Sequence, residues 1–145
     1  MIFFSSDLEL ELSNNIIMNN LIVDAARDKI FLTIIVDKSI YTCSHVNSKI
    51  NFEKLIILIN EFLKNNKSSL DSIDSIYVNR GPGSFAGIRN SLSTIKALFL
   101  TKKIDYYCFS FQDFKESEPI KYVDVPQLCE KYKIKKNLIN PIYLS

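Results

Sequence analysis

The residues whose types and spacing best suit chemistry form a single glycine-rich turn. All three glycines of the chain fall within residues 81–87, which read Gly-Pro-Gly-Ser-Phe-Ala-Gly. Glycine permits backbone geometries and close approaches that other residues resist, and the serine can cap a helix after the turn. Free N–H groups and a helix dipole would then converge on the turn, as they do in anion-binding sites. The residues of this candidate anion-binding turn are Gly81, Pro82, Gly83, Ser84, Gly87 and Arg89.

A purely structural role for the turn is at least as well supported. The run does not end in the Gly-Lys-Ser/Thr of a Walker A loop, and it lacks the Gly-x-Gly-x-x-Gly spacing of a Rossmann turn. Other candidates for catalysis are few, because His45 is the only histidine and has no identifiable nucleophile partner. One chain therefore cannot supply two imidazoles to a metal. We predict no catalytic residue, no metal and no cofactor.

Composition favours one globular domain inside the cell. The 145 residues are 47% hydrophobic, which is enough for a core, and the net charge of +2 implies no strong attraction to nucleic acid or membranes. Three widely spaced cysteines, Cys43, Cys108 and Cys129, predict reduced thiols rather than a disulfide framework. No apolar run approaches the ~20 residues of a membrane span, and the N-terminus does not read as a signal peptide. We expect a cytoplasmic protein.

The order of predicted elements indicates an α/β fold. Brief connections between the first three β-rich runs predict antiparallel neighbours, whereas strands that alternate with helices predict parallel additions. We expect strands at 21–26, 30–36, 40–46, 73–78 and 104–109, helices at 52–64 (capped by Asn51), 84–101 and 125–132, and a short terminal strand. Three antiparallel strands followed by αβαβ predict a mixed five-stranded sheet with helices. This is the order of a ribonuclease-H-like half domain of the actin and sugar-kinase type.

The N-terminal residues differ in pattern from the rest of the chain. Residues 7–12 alternate like a strand, but stretches rich in serine and asparagine bracket them, and Met18 stands just before the first strong strand. We predict that residues 1–17 are an N-terminal extension, either poorly ordered or the product of a misannotated start. Residues 18–145 are then expected to form a single domain. The alternative is an extra edge strand near the N-terminus.

The glycine turn also carries a family resemblance. Residues 79–89, Asn-Arg-Gly-Pro-Gly-Ser-Phe-Ala-Gly-Ile-Arg, resemble the signature Gly-Arg-Gly-Pro-Gly-Ser-Phe-Thr-Gly-x-Arg of the TsaB (YeaZ) family. Departures from the family pattern include Ala86 in place of threonine, Ala26 near a usual threonine or serine, and Ala97 in place of glycine. Further segments similar to the family are residues 21–26, 70–76, 93–98 and 141–144.

The resemblance implies a Gcp-like domain and a role in tRNA threonylcarbamoyladenosine modification. It implies a non-catalytic partner, or scaffold, that binds and activates a TsaD-like transferase. Family members carry a second, similarly folded half before the terminal segment, whereas only a short segment stands there in this chain, so a reduced form is expected. The resemblance also makes Asp24 a vestigial metal or nucleotide carboxylate at the end of the first strand. The alternative is a degenerate actin/kinase-fold nucleotide-binding protein or enzyme that uses Asp24 and the glycine turn.

Two helices carry more apolar surface than one packing face needs. Residues 55–59 are apolar on every side of the helix, and the second helix has an apolar seam at 3-4 spacing. The excess must contact a neighbouring helix or another subunit. In the family, these two helices pair with those of TsaD, and a homodimer through the same helices at 52–64 and 84–101 is a second option. Packing within the core alone is the alternative. The predicted interface consists of Phe52, Leu55, Ile56, Ile59, Phe85, Ile88, Leu92, Ile95 and Phe99.

A basic cluster near the C-terminus is a weaker candidate for contact with tRNA. It comprises Lys131, Lys133, Lys135 and Lys136, with Tyr132 among them. Charged runs are normally solvated surface, so this interpretation is preferred to a phosphate-binding patch. We therefore expect tRNA to be contacted only indirectly.

Overall fold

The computed structural model describes residues 18–143, so the predicted N-terminal extension at 1–17 and the last two residues of the chain lie outside the described residues. Within residues 18–143 the strands are β1 (Asn20–Asp24), β2 (Lys29–Val36), β3 (Ser39–Val46), β4 (Ser75–Asn79) and β5 (Asp105–Phe109). These five strands form one mixed sheet in the order β3-β2-β1-β4-β5. β2 pairs antiparallel with both β1 and β3, whereas β4 pairs parallel with β1 and β5. The predicted mixed five-stranded sheet is confirmed.

In the described part of the chain, four α-helices cover the sheet, and their bounds agree with the sequence except at the first. The structure has α1 (Lys49–Glu53), α2 (Leu55–Asn65), α3 (Phe85–Lys102) and α4 (Val125–Lys131). The expectation that Asn51 caps a single helix is wrong. Ser48 is the cap, because its hydroxyl accepts from the Asn51 N–H, while the Asn51 side chain donates to the Val46 carbonyl. Lys54, with φ −103° and ψ 11°, then separates α1 from α2.

The central strand explains why the core has two layers. Every residue of β1 is buried, with Leu21 and Val23 on one face of the sheet and Ile22 on the other. Such a strand reads as a continuous apolar run, because both faces are covered. The larger core cluster packs α1, α2 and α3 against one face, and the smaller cluster packs α4 and neighbouring aromatic residues against the other.

The chain after α4 runs along the sheet without forming the predicted terminal strand among the described residues. Its contacts are isolated bridges, antiparallel between Tyr107 and Lys136 and parallel between Gly83 and Tyr143. Asn137 adds a side-chain cap, since its amide oxygen accepts from the Tyr106 N–H at 2.9 Å. No helix among residues 18–143 is both long and apolar enough to cross a membrane.

Candidate functional site

The glycine turn joins β4 to α3, and each of its three glycines packs against a backbone carbonyl from another part of the chain. A Cβ at Gly81 would lie under 3.0 Å from the Ile142 carbonyl oxygen, and φ there is +109°, which L residues rarely adopt. Cβ atoms at Gly83 and Gly87 would meet the carbonyl oxygens of Ala26 and Ala25, again under 3.0 Å. The three glycines are therefore required by the close approach of α3 to the end of β1 and to the C-terminal segment.

Several N–H groups of the turn already donate to the protein's own oxygens. The Gly81 N–H donates to Asn79 Oδ1 at 2.8 Å, and the Ser84 N–H donates to the Ala26 carbonyl at 2.7 Å. The Gly87 N–H donates to Ser84 Oγ at 3.1 Å, which confirms Ser84 as the cap of α3. Arg89 is exposed, with its guanidinium 6.0 Å from the centre of the Phe85 ring. These bonds favour the structural interpretation of the turn over an anion site.

Asp24 lies at the carboxyl end of β1, in the centre of a hydrogen-bond network. Its side chain is 1% exposed, and Oδ1 accepts from the Ala26 N–H at 3.0 Å and from Asn79 Nδ2 at 3.1 Å. Oδ2 accepts from the Tyr122 hydroxyl at 2.6 Å. Burial and then the charge of Asp24 raise the pKa of Tyr122, so the phenol stays protonated and donates to the carboxylate.

Sequence reasoning missed both side chains that hold Asp24. Tyr122 follows it by 98 positions, and no local pattern connects the two. The sequence did mark Asn79 as unusual, because the family signature has glycine at that position. Its side chain joins Asp24 to the Gly81 N–H, and thus links the first strand to the glycine turn.

A second buried polar link ties the turn to the rest of the fold. Arg80 Nη2 donates to Asp113 Oδ1 at 2.7 Å, and both side chains are largely buried. Arg80 Nη1 also donates to the Asn140 carbonyl at 3.0 Å. Because one guanidinium reaches both the 3-10 turn after β5 and the C-terminal segment, Arg80 positions two distant parts of the chain.

The described residues do not assemble a metal site. Within 18–143, no three His, Cys, Asp or Glu side chains are grouped so as to hold an ion. His45 contacts one thiol, with Nε2 3.7 Å from Cys43 Sγ. Burial raises the pKa of the Cys43 thiol, which disfavours the thiolate that a metal or a nucleophilic reaction requires.

A cavity of about 740 Å³ lies at the carboxyl ends of the parallel strands, and Tyr122, the hydrogen-bond partner of Asp24, is part of its lining. In open α/β sheets this edge is where ligands commonly bind. Its walls include Tyr122 with Phe31 and Phe111 around it, at ring-centre distances of 5.9 and 6.1 Å. Arg27 and Glu116 lie at its rim.

Glu116 holds the cavity's outer wall against α4. Its Oε2 accepts from Lys131 Nζ at 2.8 Å and from the Tyr132 hydroxyl at 2.5 Å. The hydrogen bond from Lys131, followed by that from Tyr132, lowers the pKa of Glu116.

We expect this wall to loosen in acid. A carboxyl with a lowered folded-state pKa contributes stability above its unfolded pKa, and that contribution is lost as the pH falls through the folded value. NMR titration should show that the pKa of the Glu116 carboxyl is below its ordinary value, and Lys131→Met should raise this pKa, with the remaining lowering due to the hydrogen bond from Tyr132. An unchanged Glu116 titration in Lys131→Met would contradict the contact.

The structure corrects the predicted helix interface. Five of its residues, Leu55, Ile59, Ile88, Leu92 and Ile95, are buried in the larger core cluster. The seam on α3 faces the sheet and α2, so these side chains are not surface. Phe52, Ile56 and Phe99 are partly buried against the same cluster, and Phe85 is exposed beside Tyr143.

Other apolar side chains of the same helices do reach the surface. Ile57 on α2 is 50% exposed and Leu100 on α3 is 60% exposed. Leu100 lines a shallow groove of about 370 Å³ together with Lys96 and Ala97 of α3 and with Tyr143 of the C-terminal segment. Sequence periodicity found the excess of apolar residues but assigned the wrong members to the surface.

The basic cluster is partly neutralised. Lys131 pairs with Glu116 at 2.8 Å, and Lys136 pairs with Asp105 at 3.5 Å. Lys133 and Lys135 are exposed. Paired lysines present less positive potential than the sequence suggests, which agrees with the expectation of a solvated surface.

The sheet order, the antiparallel first three strands and the parallel additions define the protein as a ribonuclease-H-like half domain of the actin type. The family model described as "TsaD: tRNA N6-adenosine threonylcarbamoyltransferase" matches residues 46–110, from the end of β3 past β5. Two curated relatives, each named "tRNA threonylcarbamoyladenosine biosynthesis protein TsaB" and both from Buchnera aphidicola, are 36% identical over 77 residues and 30% identical over 90 residues. The chain is therefore similar to proteins of the TsaB (YeaZ) family, in agreement with the resemblance of its signature.

The matches cover a limited part of these relatives. They include 44% and 62% of this chain but only 35% and 43% of the two curated proteins, so the chain spans less than half of their length. The solved structure "YeaZ from Pseudomonas aeruginosa" superposes with a TM-score of 0.60 at 18% identity, over 64% of this chain and 44% of that one. At 18% identity, the similarity to this solved structure shows a shared fold and nothing further.

Proposed function

We propose that this chain is a non-catalytic partner subunit that binds and activates a TsaD-like transferase in tRNA threonylcarbamoyladenosine biosynthesis. The observation that carries the proposal is the match to TsaB relatives, together with the tight packing of the glycine turn that holds the family signature. The consumed hydrogen-bonding capacity of Asp24 supports a non-catalytic role. Such a complex would act in the cytoplasm and would contact tRNA chiefly through the transferase.

The partner surface proposed here is the outer side of α2 and α3. Ile57 and Leu100 are the apolar side chains on these helices that are most available to a partner helix, with Phe85 at the start of α3. Ala97 beside Leu100 is small, so a partner helix can approach α3 closely at the groove. A homodimer through the same surface is the competing arrangement, because related interfaces can pair with themselves.

Charge substitutions at this surface should abolish the complex without unfolding the chain. The test is co-purification with the TsaD-like protein of the same organism, read by light scattering, for the natural chain, Ile57→Glu and Leu100→Glu. We expect a defined heterodimer for the natural chain and a loss of at least about a hundredfold in affinity for each variant, because a buried unpaired carboxylate is costly at an interface. Val123→Glu, at an exposed apolar residue before α4, is the matched control and should bind normally.

Two results would count against this surface. One is a heterodimer that survives both charge variants while circular dichroism shows them folded. The other is the absence of any complex between the natural chain and the transferase.

A second candidate function comes from the cavity that Tyr122 and its aromatic neighbours line. Its aromatic walls and its place at the carboxyl ends of the strands suit a planar ligand such as a nucleotide. Equilibrium titration of ATP and ADP against the lone chain, with and without Mg²⁺, distinguishes the two functions. Saturable binding that Phe111→Ala weakens would support the degenerate nucleotide-binding protein.

A further inference from the structure

The two edges of the sheet differ in what covers them. At the β5 edge, the segment after α4 bonds to the strand: the Asn137 N–H donates to the Tyr106 carbonyl at 2.7 Å, and Asn137 Nδ2 donates to Asp105 Oδ1 at 2.9 Å. At the other edge, no strand among residues 18–143 pairs with the outer side of β3. Alternate residues of such an edge strand direct their N–H and C=O groups away from the sheet. Within the described part of the chain, the β3 edge can therefore accept another strand.

β3 lacks the usual devices that prevent strands from adding to a sheet edge. Edge strands are normally short, or carry lysine, proline or a bulge. β3 is eight residues long and reads Ser-Ile-Tyr-Thr-Cys-Ser-His-Val, with no proline, lysine, arginine, aspartate or glutamate. It pairs with β2 in continuous register from Ser39 to Val46, without a bulge. A regular edge of this length suits strand addition.

A cleft of about 430 Å³ lies between β3 and α2. Tyr41, Cys43 and His45 of β3 face α2, because their partners on β2 belong to the larger core cluster that the helices cover. The positions that α2 contributes are spaced at i, i+3 and i+4, so they lie on one face of the helix. They include Leu58, Glu61 and Phe62. Domains that bind extended peptides by strand addition combine a free sheet edge with neighbouring pockets for alternate side chains.

The cleft is apolar at its base and negatively charged at its rim. Leu58 and Phe62 are buried, whereas Glu61 is exposed. Glu61 is the one carboxylate among the described residues that line the cleft, and they include no lysine or arginine. A cation is therefore the charge that the cleft favours. The opposite face of β3 is apolar, since Ile40 is 48% exposed and Val46 is 67% exposed.

We propose that β3 and this cleft bind an extended segment of a partner protein, which adds to the five-stranded sheet as a further edge strand. The segment alternates in character. On the side of α2 it carries a lysine or arginine toward Glu61, with apolar side chains toward Leu58 and Phe62. On the other side it carries β-branched side chains, which pack against Ile40 and Val46. This partner is separate from the transferase, which we assigned to the outer side of α2 and α3.

Charge argues against the chain's own residues 7–12 as the occupant of this edge. The stretch reads Asp-Leu-Glu-Leu-Glu-Leu, so a strand formed from it would have three carboxylates on one face. Directed toward the cleft, these carboxylates would approach that of Glu61. Directed the other way, they would lie against the apolar Ile40 and Val46. A basic and apolar segment avoids both penalties, which is why the proposed occupant has that chemistry.

The probe is a fluorescently labelled peptide, Val-Leu-Thr-Lys-Thr-Leu-Val, whose side chains have the same order in both directions. It therefore tests parallel and antiparallel addition alike. Its lysine and leucines would face the cleft, and its valines and threonines would face Ile40 and Val46. Fluorescence anisotropy with the natural chain should show saturable binding.

Two matched peptides separate the contributions of charge and backbone. A peptide with glutamate in place of lysine should bind at least about tenfold more weakly, because its carboxylate would face that of Glu61. A peptide with proline in place of both threonines keeps the lysine but lacks two N–H donors, so it should also bind at least about tenfold more weakly.

Glu61→Lys should reverse the charge preference of the cleft. Because Glu61 is exposed, the variant should fold, which circular dichroism verifies. We expect it to bind the lysine peptide at least about tenfold more weakly than the natural chain does, and to bind the glutamate peptide more tightly. Glu53→Lys makes the same change at an exposed residue at the end of α1, outside the cleft, and should bind both peptides like the natural chain.

Amide hydrogen exchange reports where the peptide binds. Strand addition should slow exchange at alternate residues of β3, those whose N–H groups point outward, because the others already bond to β2. Docking through side chains alone would leave the outward amides unprotected.

Four outcomes would overturn the proposal. The first is the absence of saturable binding, and the second is a proline peptide that binds as tightly as the lysine peptide. The third is a Glu61→Lys variant with the same peptide preference as the natural chain. The fourth is protection of the outward β3 amides before any peptide is added, which would assign the edge to residues 7–12 or to a second copy. These measurements use the chain without the transferase, so their failure leaves the transferase complex untouched.

Discussion

Gly87→Ala is expected to destabilise the protein by about 3 kcal/mol, although the same change in most helices stabilises. Gly87 lies in the first turn of α3, where alanine would ordinarily gain about 1 kcal/mol over glycine. Here the added Cβ would lie under 3.0 Å from the Ala25 carbonyl oxygen, which belongs to backbone and cannot rotate away. The helix would have to move off the end of β1, and the core seam on α3 would move with it.

The measurement is urea unfolding followed by circular dichroism, for Gly87→Ala and for Ala97→Gly. Ala97 is an exposed position of α3, so its change reports helix propensity alone and should cost about 1 kcal/mol. A Gly87→Ala variant as stable as the natural chain would show that the close approach is not required. Helix propensity alone would make Gly87→Ala stabilising. A destabilising effect of this change would therefore show that crowding against the Ala25 carbonyl outweighs propensity.

Asp24→Ala is expected to cost about 3 kcal/mol or more, because it leaves several buried donors without an acceptor. The Ala26 N–H, the Asn79 amide and the Tyr122 hydroxyl all donate to this carboxylate. Unpaired buried donors cost more than the net value of the bonds they lose. Tyr122→Phe removes only one of the three donors, so it should cost about 1 to 2 kcal/mol.

A double-mutant cycle makes this prediction specific. If Asp24 and Tyr122 act as one structural unit, the loss in Asp24→Ala/Tyr122→Phe should be smaller than the sum of the two single losses. The result to set against it is a fully stable Asp24→Ala variant that has lost nucleotide or Mg²⁺ binding. That outcome would show that the Asp24 carboxylate binds a ligand rather than stabilises the fold.

Local patterns predicted most of the architecture for identifiable reasons. Runs such as 30–36 are bounded by clear polar breaks, so β1, β2 and β3 were placed within a few residues. Ser84 directly follows Gly81-Pro82-Gly83, which identified the cap of α3. The start of the first helix was predicted wrongly because Ser48 and Asn51 are both good caps. Only the hydrogen bond from the Asn51 side chain to the Val46 carbonyl decides between them.

The site was less predictable, since it depends on contacts between distant residues. The periodicity of Ile88, Leu92 and Ile95 showed that α3 has an apolar stripe but not that the stripe faces the sheet. A stripe looks the same in sequence whether it covers the core or a partner. The pairing of Arg80 with Asp113 has no sequence signature, because either residue alone reads as surface charge.

The hydrogen bond between Tyr122 and Asp24 can form only late in the synthesis of the chain. The two residues are 98 positions apart, and a ribosome adding about 5–20 residues per second needs about 5 to 20 seconds to cover that distance. Throughout that interval the nascent β1 carries a carboxylate whose phenol partner has not yet been made. The sheet can assemble early, but its central charge is enclosed only when the last part of the domain leaves the ribosome, so premature release exposes the middle of the fold.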